Sequence, residues 1–276
     1  MKRCYLVGYP VEHSMSPAMH NAAFKALGID AEYKLAPVEP GQLGAFIEKL
    51  REGDVLGANV TIPHKVEVMR HLDHVDETAH AIGAVNTIVH IDGRLTGYNT
   101  DATGGVKALT EMYGGLNGRN VTILGAGGAS RAITYQISRV DCRVTVLNRS
   151  VEKARKLVDD LRPTASAELR YGGLNQLPGV IVGTDVLINT TPVGMSPKTS
   201  DSPVPEELLH GGLFVFDVIY NPIKTKLLKD AEAKGAGTLS GVKMLVYQGA
   251  EAFRMWTGVE PPLDIMQRVV EEKLGG

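Results

Sequence analysis

The chain has 276 residues, more than one typical domain needs, so two domains are the better starting expectation. Apolar residues reach 43%, enough for a full core, whereas aromatics reach only 5% with a single Trp256, which argues against a platform for stacked bases. The net charge of -2, with both signs interspersed and no basic block, points away from DNA, RNA and anionic membranes.

The opening Met1-Lys-Arg-Cys-Tyr-Leu-Val-Gly carries basic residues but no apolar run long enough for a signal peptide. No later stretch approaches the ~18 apolar residues of a membrane helix. Cys4 and Cys142 lie far apart, each in an expected buried strand, so free thiols in a reducing compartment fit better than a disulfide. A soluble, cytoplasmic protein is expected.

Residues 3–8 read as a short buried strand ending at Gly8-Tyr-Pro10. Ser16-Pro17 opens a helix through Phe24, with Ser16 as N-cap and Pro17 at the first helical position. Residues 33–38 read as a strand, 42–51 as a helix and 56–62 as a strand, with Lys65 just beyond it near the start of the next helix. Residues 84–89 and 94–98 flank Asp92-Gly93, the strongest hairpin signal in the chain. Residues 1–101 thus form a mixed α/β domain.

Residues 104–113 are helical and end at Gly114-Gly115. From Val121 the pattern becomes strand (121–124), helix (131–138), strand (143–147), with further strands at 186–189 and 213–218 and a helix at 224–234. Alternating β and α with nearly continuous apolar strands implies a parallel sheet covered on both faces, over residues 102–240. Helices at 245–256 and 263–274 follow, and the segment from about 241 to 276 is expected to pack back on the first domain. The Phe253/Trp256 pair has the spacing of a core-facing helix.

Two distant segments carry complementary chemistry. Asn59-Val-Thr61-Ile-Pro-His-Lys65 supplies an amine, and Gly97-Tyr-Asn99-Thr-Asp101 supplies a carboxylate. A lysine and an aspartate brought together shuttle a proton, while Asn and Thr hold a hydroxylated ligand. Downstream, Val121-Thr-Ile-Leu-Gly125-Ala126-Gly127-Gly128-Ala129-Ser130 places a glycine-rich turn between a strand and a helix, the context of a pyrophosphate site. Ser130 replaces the usual third glycine, so the pattern is a variant.

The end of the following strand discriminates between cofactors. NAD-selective sites place an acid there to bind the ribose hydroxyls. Here the run is Val146-Leu147-Asn148-Arg149-Ser150, with Lys153 one turn on. A guanidinium pairs with a 2′-phosphate in forked geometry, so NADP(H) is the expected cofactor. The segment His71-Leu-Asp73-His74-Val-Asp76-Glu77-Thr-Ala-His80 lacks the i, i+4 histidine pair of zinc helices, and no metal site is expected.

These residues together resemble the shikimate dehydrogenase family nearly end to end. The resemblance is carried by Gly8-Tyr-Pro10-Val-Glu-His13-Ser14-Met-Ser16-Pro17-Ala-Met-His20-Asn21, by residues 59–65, by Gly83-Ala-Val-Asn86-Thr87 and by residues 97–101. Asn189-Thr-Thr191-Pro-Val-Gly194-Met195, Asp217-Val218-Ile219-Tyr220-Asn221-Pro222 and Gln248-Gly-Ala-Glu-Ala-Phe253 complete it. It implies NADPH-dependent reduction of 3-dehydroshikimate to shikimate, a step toward chorismate and the aromatic amino acids. It also implies an N-terminal substrate domain, a Rossmann domain and a cleft between them, as a monomer or homodimer. By similarity Ser14, Ser16, Thr61, Asn86, Tyr220 and Gln248 contact the substrate, and Val218, Gly241 and Glu77 lie near the cofactor.

On this reading hydride passes to a ring carbonyl carbon while the oxygen takes a proton. Lys65 as ammonium donates that proton; Asp101 holds it in position and hydrogen-bonds a neighbouring hydroxyl. Ser14 and Ser16 present hydroxyls to the substrate carboxylate at a helix N-terminus. In the oxidative direction Lys65 must be neutral, so shikimate oxidation is expected to speed up toward alkaline pH. Two alternatives stay open: a broader enzyme that accepts quinate or NAD, and a non-catalytic ligand-sensing module that keeps the fold.

Overall fold

The computed structural model describes residues 1–275 and divides into two compact units. One comprises Met1–Gly104 with Leu245–Gly276, the other Gly105–Met244. The first begins with strand β1 (Lys2–Gly8), helix α1 (Ser16–Ala26), β2 (Ala31–Pro37), α2 (Leu43–Lys49) and β3 (Val55–Val60). It continues through β4 (His74–Val75), α3 (Glu77–Ile82), β5 (Thr87–Ile91) and β6 (Arg94–Tyr98). The sheet runs β2-β1-β3-β5-β6-β4, with β1 parallel to both neighbours and β5 antiparallel to β3 and β6. Asp92 and Gly93 adopt φ 49° and 79°, the two left-handed residues that a two-residue hairpin turn requires. Val7, Ala36, Ile47, Val60, Ile88 and Leu95 belong to one buried cluster, with Leu43 and Ile47 of α2 one turn apart on its apolar face.

Helix α1 starts one residue earlier than its sequence signal implies. Ser16 is its first helical residue rather than its N-cap, which is Met15. The N–H of buried Ser16 donates instead to Ser14 Oγ at 3.2 Å, so the capping oxygen comes from two residues upstream.

Helix α4 (Thr100–Tyr113) is capped by Asn99, whose Oδ1 accepts the Ala102 N–H at 3.2 Å. The second unit then builds β7 (Asn120–Leu124), α5 (Gly128–Ile137), β8 (Arg143–Asn148), α6 (Val151–Leu161), β9 (Glu168–Gly173) and α7 (Leu177–Ile181). It ends with β10 (Val186–Asn189), β11 (Phe214–Asp217), α8 (Lys226–Ala233) and β12 (Gly237–Leu239). The order β12-β11-β10-β7-β8-β9 is parallel throughout. This is the doubly wound Rossmann arrangement, in which strand order reverses beside β7. Its strands read as apolar runs because both faces are buried; Val121, Ile123, Leu187 and Val215 are all buried.

Two helices close the chain, α9 (Val242–Thr257) and α10 (Leu263–Gly275). Within the first unit α10 packs on α1, Phe253 meets Phe24 with ring centroids 5.0 Å apart, and Trp256 Nε1 donates to Ile88 O at 2.9 Å. Phe253 and Trp256 are therefore core residues, as their spacing indicates. Gly104 of α4 lies where a Cβ would fall 2.7 Å from the backbone nitrogen of Gln248, so its lack of a side chain lets α4 and α9 approach. Among the described residues no helix is long and apolar enough to cross a membrane.

Candidate active site

Lys65 follows β3 on a turn that leads into a short 3-10 helix, Glu67–His71. Two anchors fix it: the Val85 N–H donates to Lys65 O at 2.8 Å, and the buried His64 ring contacts Val38 O at 2.6 Å. Asp101 stands in the first turn of α4. Lys65 Nζ donates to Asp101 Oδ2 at 2.5 Å, and the two side chains keep only 16% and 7% of their exposure. So the amine and the carboxylate meet directly across 36 residues, largely shielded from water, where a charge-assisted hydrogen bond is strong.

The other Asp101 oxygen is also held. Asn86 Nδ2 donates to Asp101 Oδ1 at 2.8 Å and to Thr100 Oγ1 at 3.0 Å. The orientation of that amide follows from its neighbours: Asn86 Oδ1 accepts the Thr100 N–H at 2.7 Å and the Thr87 hydroxyl at 3.0 Å. A backbone N–H only donates, so the nitrogen must face the carboxylate. Behind Asn86, Asn59 Nδ2 donates to Thr87 Oγ1 at 3.0 Å, and Tyr33 OH donates to Asn59 Oδ1 at 2.8 Å. Asn59 thus braces the site from inside β3 instead of presenting its amide to a ligand. Tyr33, Thr87 and Thr100 complete this buried network; Thr87 and Thr100 lie inside motif runs already singled out, but the sequence does not show that they bond to one another or through Asn59 to Tyr33. The only clue is that Asn59 and Thr87 face each other in the antiparallel register of β3 and β5.

Gln248 on α9 reaches the same cluster, with its Oε1 accepting from Asn86 Nδ2 at 3.4 Å and its Nε2 donating to Leu245 O at 2.8 Å. Ser14 and Ser16 stand side by side at the start of α1, linked by the bond described above. Thr61, the residue after β3, is partly buried and tied to β1 through its N–H on Val7 O at 2.8 Å. Glu77 is an exposed residue at the start of α3, whose N-cap is Asp76 with Oδ1 accepting the Thr78 N–H at 2.9 Å. Ser14, Ser16, Thr61, Lys65, Asn86, Asp101, Gln248 and Glu77 thus all belong to the first unit, whereas Tyr220 lies in the second, on the segment between β11 and α8.

The remaining candidates occupy the ends of the parallel strands. Gly125, at φ 111°, follows β7, and a Cβ there would meet Thr190 Oγ1 at 2.5 Å. Gly127 is the N-cap of α5 with no side-chain cap, and the space beside it is open. Gly128 and Ala129 begin the helix, and Ala126 bridges the turn. Ser130 is buried and donates to Gly125 O at 2.8 Å, so the residue in the third-glycine position pins the turn from beneath. Uncapped N–H groups at a helix start beside an open glycine fit a pyrophosphate. Past β8, Asn148 Nδ2 donates to Ser150 O at 2.9 Å, which folds the turn that leaves Arg149, Ser150 and Lys153 exposed. That donor set, without a carboxylate, fits the 2′-phosphate of NADP(H). Val218 follows β11, and Gly241 packs against it so closely that a Cβ would collide with the Val218 carbonyl.

A Rossmann-type unit with a glycine turn, joined in one chain to a unit that carries a shielded lysine–aspartate pair, defines a nucleotide-dependent dehydrogenase. The sequence profiles of three domains match: the shikimate dehydrogenase substrate binding domain over residues 6–88, shikimate/quinate 5-dehydrogenase over 107–199, and the shikimate 5′-dehydrogenase C-terminal domain over 241–271. The shikimate dehydrogenase (NADP(+)) of Methanothermobacter thermautotrophicus is 49% identical over 98% of this chain and 95% of its own. The chain belongs to the shikimate dehydrogenase family. A crystal structure of a shikimate dehydrogenase in complex with NADP+ superposes with a TM-score of 0.94 at 42% identity, covering 99% of this chain and 96% of that one. The Thermus thermophilus enzyme in complex with NADP(H) and shikimate gives 0.87 at 36%, covering 99% of each chain.

Proposed function

We propose that this protein reversibly reduces 3-dehydroshikimate to shikimate with NADPH, on the route to chorismate and the aromatic amino acids. The observation that carries the chemistry is the Lys65–Asp101 pair, 2.5 Å apart and shielded from solvent. Bound NADPH supplies the hydride for the ring carbonyl carbon. Lys65 Nζ gives a proton to the carbonyl oxygen as it becomes a hydroxyl, and regains one from solvent after turnover. Asp101 keeps the ammonium aimed through Oδ2, while its Oδ1 is held by Asn86. Ser14, Ser16, Thr61, Asn86, Tyr220 and Gln248 bind the substrate's carboxylate and hydroxyls.

On this reading the unit built from Met1–Gly104 and Leu245–Gly276 binds substrate, and Gly105–Met244 binds NADP(H). Gly125 to Ala129 cradle the pyrophosphate, Asn148 to Ser150 and Lys153 take the adenosine 2′-phosphate, and Val218, Gly241 and Glu77 serve the nicotinamide side. Buried free Cys4 and Cys142 suit a reducing, cytoplasmic setting, and the net charge of -2 gives no basis for nucleic-acid binding. The enzyme works as a monomer or homodimer.

Initial rates with shikimate or quinate, each paired with NADP+ or NAD+, test the proposal. Strong preference for shikimate with NADP+ is expected. Comparable rates with quinate or NAD+ would make it a broader quinate/shikimate enzyme. Ligand binding without turnover would replace the enzyme by a sensing module.

A further inference from the structure

One buried ionisable group plays no part in the chemistry above. Asp217 is the last residue of β11 and has no exposed surface. Three neutral donors hold its carboxylate: Thr225 Oγ1 donates to Oδ2 at 2.7 Å, Asn189 Nδ2 to Oδ1 at 3.0 Å, and the Ile219 N–H to Oδ1 at 3.2 Å. Each donor comes from a different piece of backbone. Asn189 ends β10, Ile219 lies two residues beyond β11, and Thr225 is the N-cap of α8, where its Oγ1 also accepts the Leu228 N–H at 3.3 Å.

The bonds continue outward from there. Asn189 Oδ1 accepts both the N–H and the hydroxyl of Thr191, at 3.0 and 2.7 Å. The Val218 N–H donates to Asn189 O at 3.0 Å, and Ile219 O accepts the Gly241 N–H at 3.0 Å. Val218, between Asp217 and Ile219, therefore has its backbone fixed on both sides.

The sheet order says what lies above this cluster. Dinucleotides bind across the carboxyl ends of the strands at the point where strand order reverses. That point is beside β7, with β8 and β9 on one side and β10, β11 and β12 on the other. The phosphate-selecting Asn148–Arg149–Ser150 run begins on the last residue of β8, so the adenosine half lies on that side and the nicotinamide half extends over the ends of β10 and β11.

We propose that Asp217 is a positioning residue for the nicotinamide half of NADP(H): its carboxylate clasps the ends of β10 and β11 to the start of α8 and so fixes the Val218 backbone. This rests on the NADP(H) reading given above. Burial pushes the carboxyl up to about 6, against its three donors, so an ionised Asp217 works against folding. A costly group at a ligand edge points to function more than to stability.

The test compares Asp217→Ala, Asp217→Asn and Thr225→Val with the unsubstituted enzyme. It reads kcat for shikimate oxidation, the KM for shikimate and the equilibrium binding of 2′,5′-ADP, which has the adenosine half but no nicotinamide. Misplacing a reacting group by about 1 Å can cost on the order of 100-fold in rate. Asp217→Ala is expected to lower kcat roughly 10- to 100-fold, with 2′,5′-ADP binding and the KM for shikimate unchanged. Asp217→Asn should recover most of the rate, because its oxygen still serves Asn189 and Ile219 while the Thr225 hydroxyl turns to accept from the amide. If Asp217→Ala does not fold, Thr225→Val carries the same expectation with a smaller loss. Unchanged kcat in a folded variant would overturn the proposal, as would loss of 2′,5′-ADP binding in parallel with kcat. Failure of the unsubstituted protein to bind NADP+ or 2′,5′-ADP would instead sink the cofactor reading itself.

Discussion

His20 offers a sharp test of how the first unit is held together. Its ring is fully buried, stacked on Tyr33 with centroids 4.5 Å apart and 10° between planes, and close to Phe253 and Trp256 at 6.3 and 5.3 Å. Neither ring nitrogen has a hydrogen-bond partner. Burial without a partner lowers its pKa from 6.5 to about 3. The unfolded chain therefore takes up a proton as pH falls through 6.5, whereas the folded protein does not until near 3. More protons bound in the unfolded state means that stability rises with pH across this window. The contribution of neutral His20 is complete above 6.5 and is lost progressively below it. At pH 5.0 the unfolded histidine is about 1.5 units below its pKa, which at ~1.36 kcal/mol per unit amounts to about 2 kcal/mol. His20→Phe keeps an aromatic ring in the stack and removes the titration. Urea unfolding at pH 7.5 and 5.0, followed by the fluorescence of the single Trp256, which contacts this stack, gives the double difference. The variant should lose about 2 kcal/mol less than the wild type between the two pH values. Equal losses in both proteins would refute the reasoning, because His20 would then not be buried as a neutral base.

Three further outcomes are expected. Lys65→Ala should lower kcat by roughly 100-fold or more while changing the KM for shikimate far less, and equal losses in steady-state kinetics would make Lys65 a binding residue. Arg149→Ala should raise the KM for NADP+ about 10-fold, the value of one charge-assisted bond, and leave that for NAD+ unchanged. Gly57→Ala should cost about 2 kcal/mol or more in chemical denaturation, because a Cβ at that position collides with Ile88 O and the Trp256 indole.

Where local chemistry dictates local shape, the sequence is a reliable guide. Asp92-Gly93 forms the hairpin it signals, and the alternation from Val121 onward forms a fully parallel sheet. Lys65 and Asp101 can be paired on chemistry alone, and they are hydrogen-bonded. Other features are not legible because they depend on register or long-range neighbours. Behind the pair, Asn59, Thr87 and Thr100 fall in motif runs that read as ligand-holding, whereas the β3–β5 register turns them toward one another and toward Tyr33 as a buried network. Helix α6 is absent from the expected elements although Ala154, Leu157, Val158 and Leu161 recur at helical spacing, and the short β4 exists only through its pairing with β6. At α1 the serine expected as N-cap is the first helical residue, because Ser14, two positions earlier, also offers an oxygen.

The first unit is discontinuous along the chain, and vectorial synthesis turns that into an order of events. A ribosome releases β1 through β6 and the residues Lys65, Asn86 and Asp101 early, yet Gln248, which bonds Asn86, and Trp256, which bonds Ile88, come 162 and 168 residues later. The unit between them, Gly105–Met244, is delivered whole before that. The nascent protein therefore has every residue of the Gly105–Met244 unit in hand while the unit bearing the lysine–aspartate pair still lacks α10 and most of α9. During that interval the first unit has all six strands of its sheet but lacks the helices that pack on α1 and bond to β5. Of the two halves, it is the one more exposed to chaperones and proteases at birth.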